Sequence, residues 1–326
     1  MIESPEGIWT IVVLVNAVLS WVANAILCHL IHHHTPRHMG PYASLMAIFS
    51  LFNILFTALH LATHPIIFCD GYGFVMFTTG PVSDSKELSA VGLFVYASAY
   101  AQSLVLLCFH FIYRYALICQ IEWLNALTRW QVIAGMVVLY LLFGGGYGAN
   151  VVISLFEDAR VKDAFRHPFS RTFQHSIDEI VSLGGVYFID GIANWKSWCG
   201  LSICMFFIVS SFIVILLCGR AILRTLREAT MSTRIRQRQM GIFRALVVQT
   251  VIPVFCLYIP SGIVLICPIF HLSVDTTFVT VSFGVYCTLE PLVMIYFIRD
   301  YRIAVLRKAK GLAYCVIEMI EIWRWL

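Results

Sequence analysis

Seven apolar stretches occupy residues 8–31, 42–68, 88–113, 130–156, 199–219, 245–270 and 276–298. Each is long enough to cross a bilayer as a helix, which takes about 20 predominantly apolar residues. Their polar residues are mostly Asn, Ser, Thr, Tyr and His, groups that neighbouring helices bury against one another. None shows the alternation, over about ten residues, of a membrane β-barrel strand. Only 12% of the chain is charged, against about 25% in soluble domains, so most of the surface faces something other than water. The expected fold is an all-α membrane protein: a seven-transmembrane helix bundle in one domain over residues 1–298, with a tail over 299–326. The opening MIESPEG lacks a basic n-region, so the first stretch is expected to span rather than to serve as a signal peptide.

Lys and Arg set the expected orientation. With the N-terminus extracellular and the C-terminus cytoplasmic, the cytoplasmic segments hold 16 of the 22 basic residues, and 12 of the 18 acidic residues lie outside. The long extracellular loop 157–198 alternates charged and apolar clusters (SIDEIVSLGGVYFIDG) and can fold over the bundle mouth as a lid. The cytoplasmic loop 220–244 is the most basic segment, with seven arginines. Arg220, Arg224 and Arg227 recur at i, i+4, i+7 and share one face if the fifth span continues inward as a helix. Two readings stay open for this loop: an anchor on anionic lipid, or a docking surface for a cytoplasmic protein.

The histidines of HHHTPRHMGP (32–41) have no Cys or acid beside them and read as a polar loop rather than a metal site. His60, His64 and His110 read as buried hydrogen-bonding groups. Cys69 and Cys199 flank the outer loops as the candidate pair for a disulfide, two free thiols being the alternative. Cys315, in the basic and apolar tail, is an acylation candidate. Glu290 is the one acid well inside a span, directly before Pro291. It either bonds the backbone that Pro291 leaves open or joins a polar network that rearranges. Pro253 and Pro260 must bend or loosen the sixth span, and Gly144 to Gly146 permit close approach in the fourth. No metalloprotease, nucleophile-elbow or phosphate-loop motif occurs, and no lysine lies in these seven stretches to carry a retinal Schiff base. Enzyme and light-receptor classes therefore find no support.

Three segments resemble nematode seven-transmembrane chemoreceptors of the Str type, which are related to the Srj receptors: FHFIYRYALIC (109–119), FRALVVQTVIPVFCLYIPSGIVLICPIF (243–270) and LEPLVMIYFIRDYRIAV (289–305). The resemblance implies a G-protein-coupled odorant receptor in the plasma membrane, at the ciliated ending of a sensory neuron. Rhodopsin-like receptors are similar more loosely. Their third helix ends in an acid-Arg-aromatic triplet, where this chain has Tyr113-Arg114-Tyr115 without the acid. Their aromatic-x-Pro switch has a counterpart in Tyr258-Ile259-Pro260, and their Asn-Pro-x-x-Tyr a departure in Glu290-Pro291 followed by Tyr296.

On this basis a small-molecule odorant is expected among Tyr96, Tyr100, Ser103, Phe207, Tyr258 and Tyr286, with plain packing or lipid contact as the alternative for each. Pro260, Glu290 and Pro291 are expected to move, and Arg114, Tyr115, Arg220, Arg224 and Arg227 to meet a heterotrimeric G protein. No cofactor, metal or nucleic acid is expected. The rival expectation is a seven-helix ligand-gated ion channel of inverted topology.

Overall fold

The computed structural model describes residues 7–35, 41–119, 129–228, 233–272, 274 and 276–308. Among these residues, seven helices are long and apolar enough to cross a membrane. They are α1 (Gly7–His34), α2 (Pro41–Thr63), α3 (Lys86–Cys119), α4 (Arg129–Ser154), α6 (Trp195–Glu228), the compound span α7 (Thr233–Pro253) with α8 (Ile259–Ile266), and α9 (Thr277–Phe297). The short α5 (Ala159–Phe173) lies between α4 and α6, and a further helical segment covers 299–308.

Helix α3 is the central post, packing against α2, α4 and α6. In its most apolar window 72% of residues are buried, against 17% in α4. Val137, Val138, Leu141 and Leu142 of α4 are accordingly exposed, a face that only lipid tails would cover. Small residues let the helices close up. A side chain on Gly144 would meet Gln102 of α3 at 2.8 Å, which supports the packing role read for the fourth span.

The bundle is not purely helical. Strands β1 (Pro65–Asp70), β2 (Gly73–Thr78) and β3 (Ser182–Val186) form an antiparallel sheet in the order β1-β2-β3. A two-strand hairpin, β4 (Phe188–Ile189) and β5 (Ile192–Ala193), follows. Its turn, Asp190-Gly191, takes positive φ at both residues (51° and 77°), as a tight two-residue hairpin requires. The expectation of an all-α chain is corrected here, as is the second span, which ends at Thr63 rather than 68 because Pro65 cannot continue the helix and opens β1.

These strands and α5 build the lid expected of loop 157–198. Val161, Phe165 and Phe169 of α5 pack on Val75 and Phe77 of β2 and on Ile177. Asp158 caps α5 by accepting from the Arg160 N–H (2.9 Å), and Lys196 at the start of α6 donates to the same carboxylate at 2.7 Å. Burial opposes ionisation of Asp158, but these donors outweigh it and hold the carboxyl below its ordinary range.

The basic region 220–244 is not one loop. Helix α6 continues to Glu228 and α7 begins at Thr233, with 229–232 outside the described residues. Arg220, Arg224 and Arg227 are exposed while Ile222 and Leu226 are buried, so the three arginines do share the outward face. Arg224 also bonds Glu228 at 3.0 Å.

Candidate functional site

A cavity of about 90 Å³ lies beneath the sheet. Its roof is Ile67, Phe74, Met76 and Leu183 from the three strands. Its walls are Tyr96, Ala97 and Tyr100 of α3, Tyr147 and Val151 of α4, Leu201 and Cys204 of α6, Ser261 and Val264 of α8, and Phe283 of α9. No Asp, Glu, Lys, Arg or His lines it among the described residues. Tyr100 Oη and Ser261 Oγ are 2.7 Å apart and tie the third span to the sixth inside the cavity wall.

Of the six residues expected to bind ligand, the structure brings Tyr96 and Tyr100 to this cavity. The other four do not line it. Ser103 turns back to donate to the Tyr100 carbonyl (2.7 Å). Phe207 packs edge-on against Phe143 and Tyr147, behind the wall. Tyr258 shares a hydrogen bond with Ser211 Oγ (2.9 Å), one turn too deep. Tyr286 is buried against Phe49, away from the cavity. The strand residues of the roof carried no helical periodicity, and nothing in the sequence set them apart.

Below the cavity, two prolines create a defect in the sixth span and one in the seventh. The stretch Val254–Tyr258, between Pro253 and Pro260, is a π-helical turn. Pro260 has no N–H to return to the carbonyl one turn back. Ser282 Oγ of α9 lies 3.0 Å from the Cys256 carbonyl and 2.6 Å from the Val279 carbonyl of its own helix, so its one hydroxyl hydrogen is shared between the two. Pro291 likewise leaves the Cys287 carbonyl open, and Asn24 Nδ2 (2.9 Å) and Ser20 Oγ (3.3 Å) of α1 donate to it. Glu290 stands in a polar network. Its carboxyl oxygens accept from Asn53 Nδ2 of α2 and Gln249 Nε2 of α7, each at 3.0 Å. One buried acid thus joins three spans through neutral amides.

Arg114 is 4% exposed. Its guanidinium donates to Gln239 Oε1 of α7 at 3.2 Å and sits 5.2 Å from the Tyr42 ring centre. A glutamine on the sixth span thus stands where the acid of the triplet is missing. Tyr115 packs with Ile118, Ile222, Leu226 and Phe243 between α3, α6 and α7.

The histidines divide. His60 Nδ1 pairs with Tyr96 Oη (2.9 Å) and His64 Nδ1 with Thr79 Oγ1 (2.7 Å). His110 is corrected: it is buried edge-on to Tyr42 and Phe49, and neither ring nitrogen has a hydrogen-bond partner among the described residues. Of the two readings for Cys69 and Cys199, the structure has the free thiols. The alternation of β1 turns Cys69 inward to a second chamber beside α1 and α9, where burial pushes its thiol up to about 12, whereas Cys199 is exposed on α6. Cys315 lies outside the described residues.

A seven-helix bundle with a lidded cavity and a buried arginine at the opposite end has the architecture of a serpentine receptor. Its fold is similar to the crystal structure of squid rhodopsin, with a TM-score of 0.65 over 96% of this chain and 88% of that one, at 10% identity. Residues 10–306 match the profile of the serpentine type 7TM GPCR chemoreceptor Str family. The chain belongs to that family. Relatives include "Serpentine receptor class r-10" of Caenorhabditis briggsae, 28% identical over 89% of this chain and 86% of the relative. The Caenorhabditis elegans protein of the same name is 28% identical over 89% and 87%, and "G-protein coupled receptor str-33" of Caenorhabditis elegans 23% over 87% and 85%. It is therefore a multi-pass membrane protein of a receptor family, not of an enzyme family.

Proposed function

We propose that this chain is a chemosensory receptor that binds a small uncharged odorant in the lidded cavity and activates a heterotrimeric G protein at the opposite end. In this reading the lid faces outward, the arginine-rich end faces the cytoplasm, and the receptor works in the plasma membrane of a sensory cilium. The observation that carries it is the Tyr100–Ser261 hydrogen bond. Ser261 directly follows Pro260, just past the π-turn that ends at Tyr258, so a ligand that displaces or strengthens this bond acts next to the defect. From there α7 runs to Gln239, the partner of Arg114. A ligand that favours one bend of the sixth span thereby weakens or keeps the Arg114–Gln239 contact, and shifts the equilibrium by its differential affinity for the two states. The absence of charged residues from the described cavity wall favours neutral molecules, because a charge there meets no partner.

The test is expression in cultured cells with a G-protein reporter and a panel of neutral volatile compounds. At least one compound should activate the receptor, Tyr100→Ala should lower its potency at least tenfold, and Arg114→Ala should remove signalling while surface expression persists. A receptor present at the surface that answers no neutral compound sinks the reading. A compound that drives a current without any G protein establishes the channel instead.

A further inference from the structure

Every residue lining the lidded cavity is buried. Beside it lies the second chamber, of about 230 Å³, between α1, α2, β1, α5 and α9. This chamber reaches the surface, because Thr172 in its wall is exposed and Trp9, His64 and Val281 are half-buried. The two spaces share a wall one side chain thick. Ile67 lines both. His60 lines the chamber, Tyr96 lines the cavity, and the two are joined by the 2.9 Å hydrogen bond. Behind His60, Gly284 of α9 packs closely: a side-chain carbon there would lie 3.0 Å from Asn16 Nδ2 and 3.4 Å from the imidazole.

We propose that the second chamber is a binding vestibule for small uncharged molecules and their passage into the lidded cavity, opened when the His60–Tyr96 hydrogen bond parts. The inference rests on the reading of the lidded cavity as the ligand site. Its chemistry follows from the walls. Trp9, Val13, Phe68 and Phe173 supply apolar surface, and the His60 and His64 imidazoles and the threonine hydroxyls supply hydrogen bonds. No Asp, Glu, Lys or Arg lines the chamber among the described residues. A neutral molecule with one or two hydrogen-bonding atoms fits both spaces, and a fixed charge finds no partner in either.

Native thiols make the passage testable without an agonist or a G protein. Cys69 lines the vestibule, Cys204 the cavity, and Cys199 is exposed on α6 as a control. The full-length receptor in lipid nanodiscs is treated with methyl methanethiosulfonate, which is neutral. A thiolate attacks its sulfenyl sulfur, a methyl disulfide forms and methanesulfinate leaves, and mass spectrometry of peptides gives the rate at each cysteine. Cys204 should be modified by this reagent and at least tenfold more slowly by the cationic trimethylammonium-ethyl analogue. Thr280→Trp, and independently Val13→Phe, fill the vestibule and should slow Cys204 at least tenfold with Cys199 unchanged. His60→Ala should speed Cys204 at least fivefold. Rates at Cys204 that ignore all three substitutions, equal entry of the cation, or no modification before unfolding would each overturn the proposal. A receptor that labels as expected yet answers no odorant leaves the passage standing and removes the signalling assignment.

Discussion

Glu290 is held by two amide N–H groups and, among the described residues, by no cation, so its role turns on hydrogen-bond geometry as much as on charge. Glu290→Gln keeps an acceptor oxygen for one amide and should leave the fold intact while changing basal signalling. Glu290→Leu strands the Asn53 and Gln249 donors in the bundle, at about 1–3 kcal/mol for each unsatisfied group. The leucine variant should therefore melt well below both the parent and the glutamine variant in a thiol-dye unfolding assay; equal melting of all three would show that the network contributes no stability. Sequence singled out Glu290 because an acid inside an apolar span is costly enough to need a reason. It did not single out Gln249 or Asn53, since neutral amides are ordinary residues in a span and only their convergence on Glu290 gives them a role.

At the scale of elements, each proline defect is repaired by a different helix. Ser282→Ala removes the donor to the Cys256 carbonyl and should cost about 1 kcal/mol. In a Pro260→Ala background that cost should shrink, because an alanine N–H supplies a donor for the ladder of the sixth span. A double-mutant cycle by thermal unfolding checks this, and full additivity of the two changes would refute the repair. The lid has its own signature. Asp158 is held below its ordinary value of 3.8, so its contribution is fully present above that value and is lost as pH falls through the lower folded-state value. Hydrogen exchange at the start of α5 should accelerate across that window in the parent, and Asp158→Asn, which keeps an acceptor for the cap but not the charge facing Lys196, should lose that acid-dependent step. The prolines that make the defects were readable in the sequence, and so was the lid's existence. The sheet was not, because β1 looked like the end of an apolar span and β3 is the glycine-containing SLGGV, neither with a strand's alternation of polar and apolar residues.

For the whole molecule, topology is the prediction that governs the rest. A C-terminal tag should be reached by antibody only after cells are permeabilised; staining of intact cells would place the arginine-rich end outside and end the receptor mechanism. What the sequence by itself determined is the number of spans, the expected orientation, the proline defects and the arginine at the end of the third span. Each of these is a local property, written in consecutive apolar residues, in loop charge or in a missing N–H. What only the tertiary structure decided is which side chains converge. Tyr96 and Tyr100 face a cavity while Ser103, one turn on, bonds backbone. Gln239 replaces the missing acid beside Arg114. Cys69 and Cys199 point apart, and His60 stands between two chambers. In a bundle whose helices are apolar on every side, periodicity does not mark the inward face. Rotation and depth of each helix are set by its neighbours, through close glycine packing and the donors that complete another helix's broken ladder.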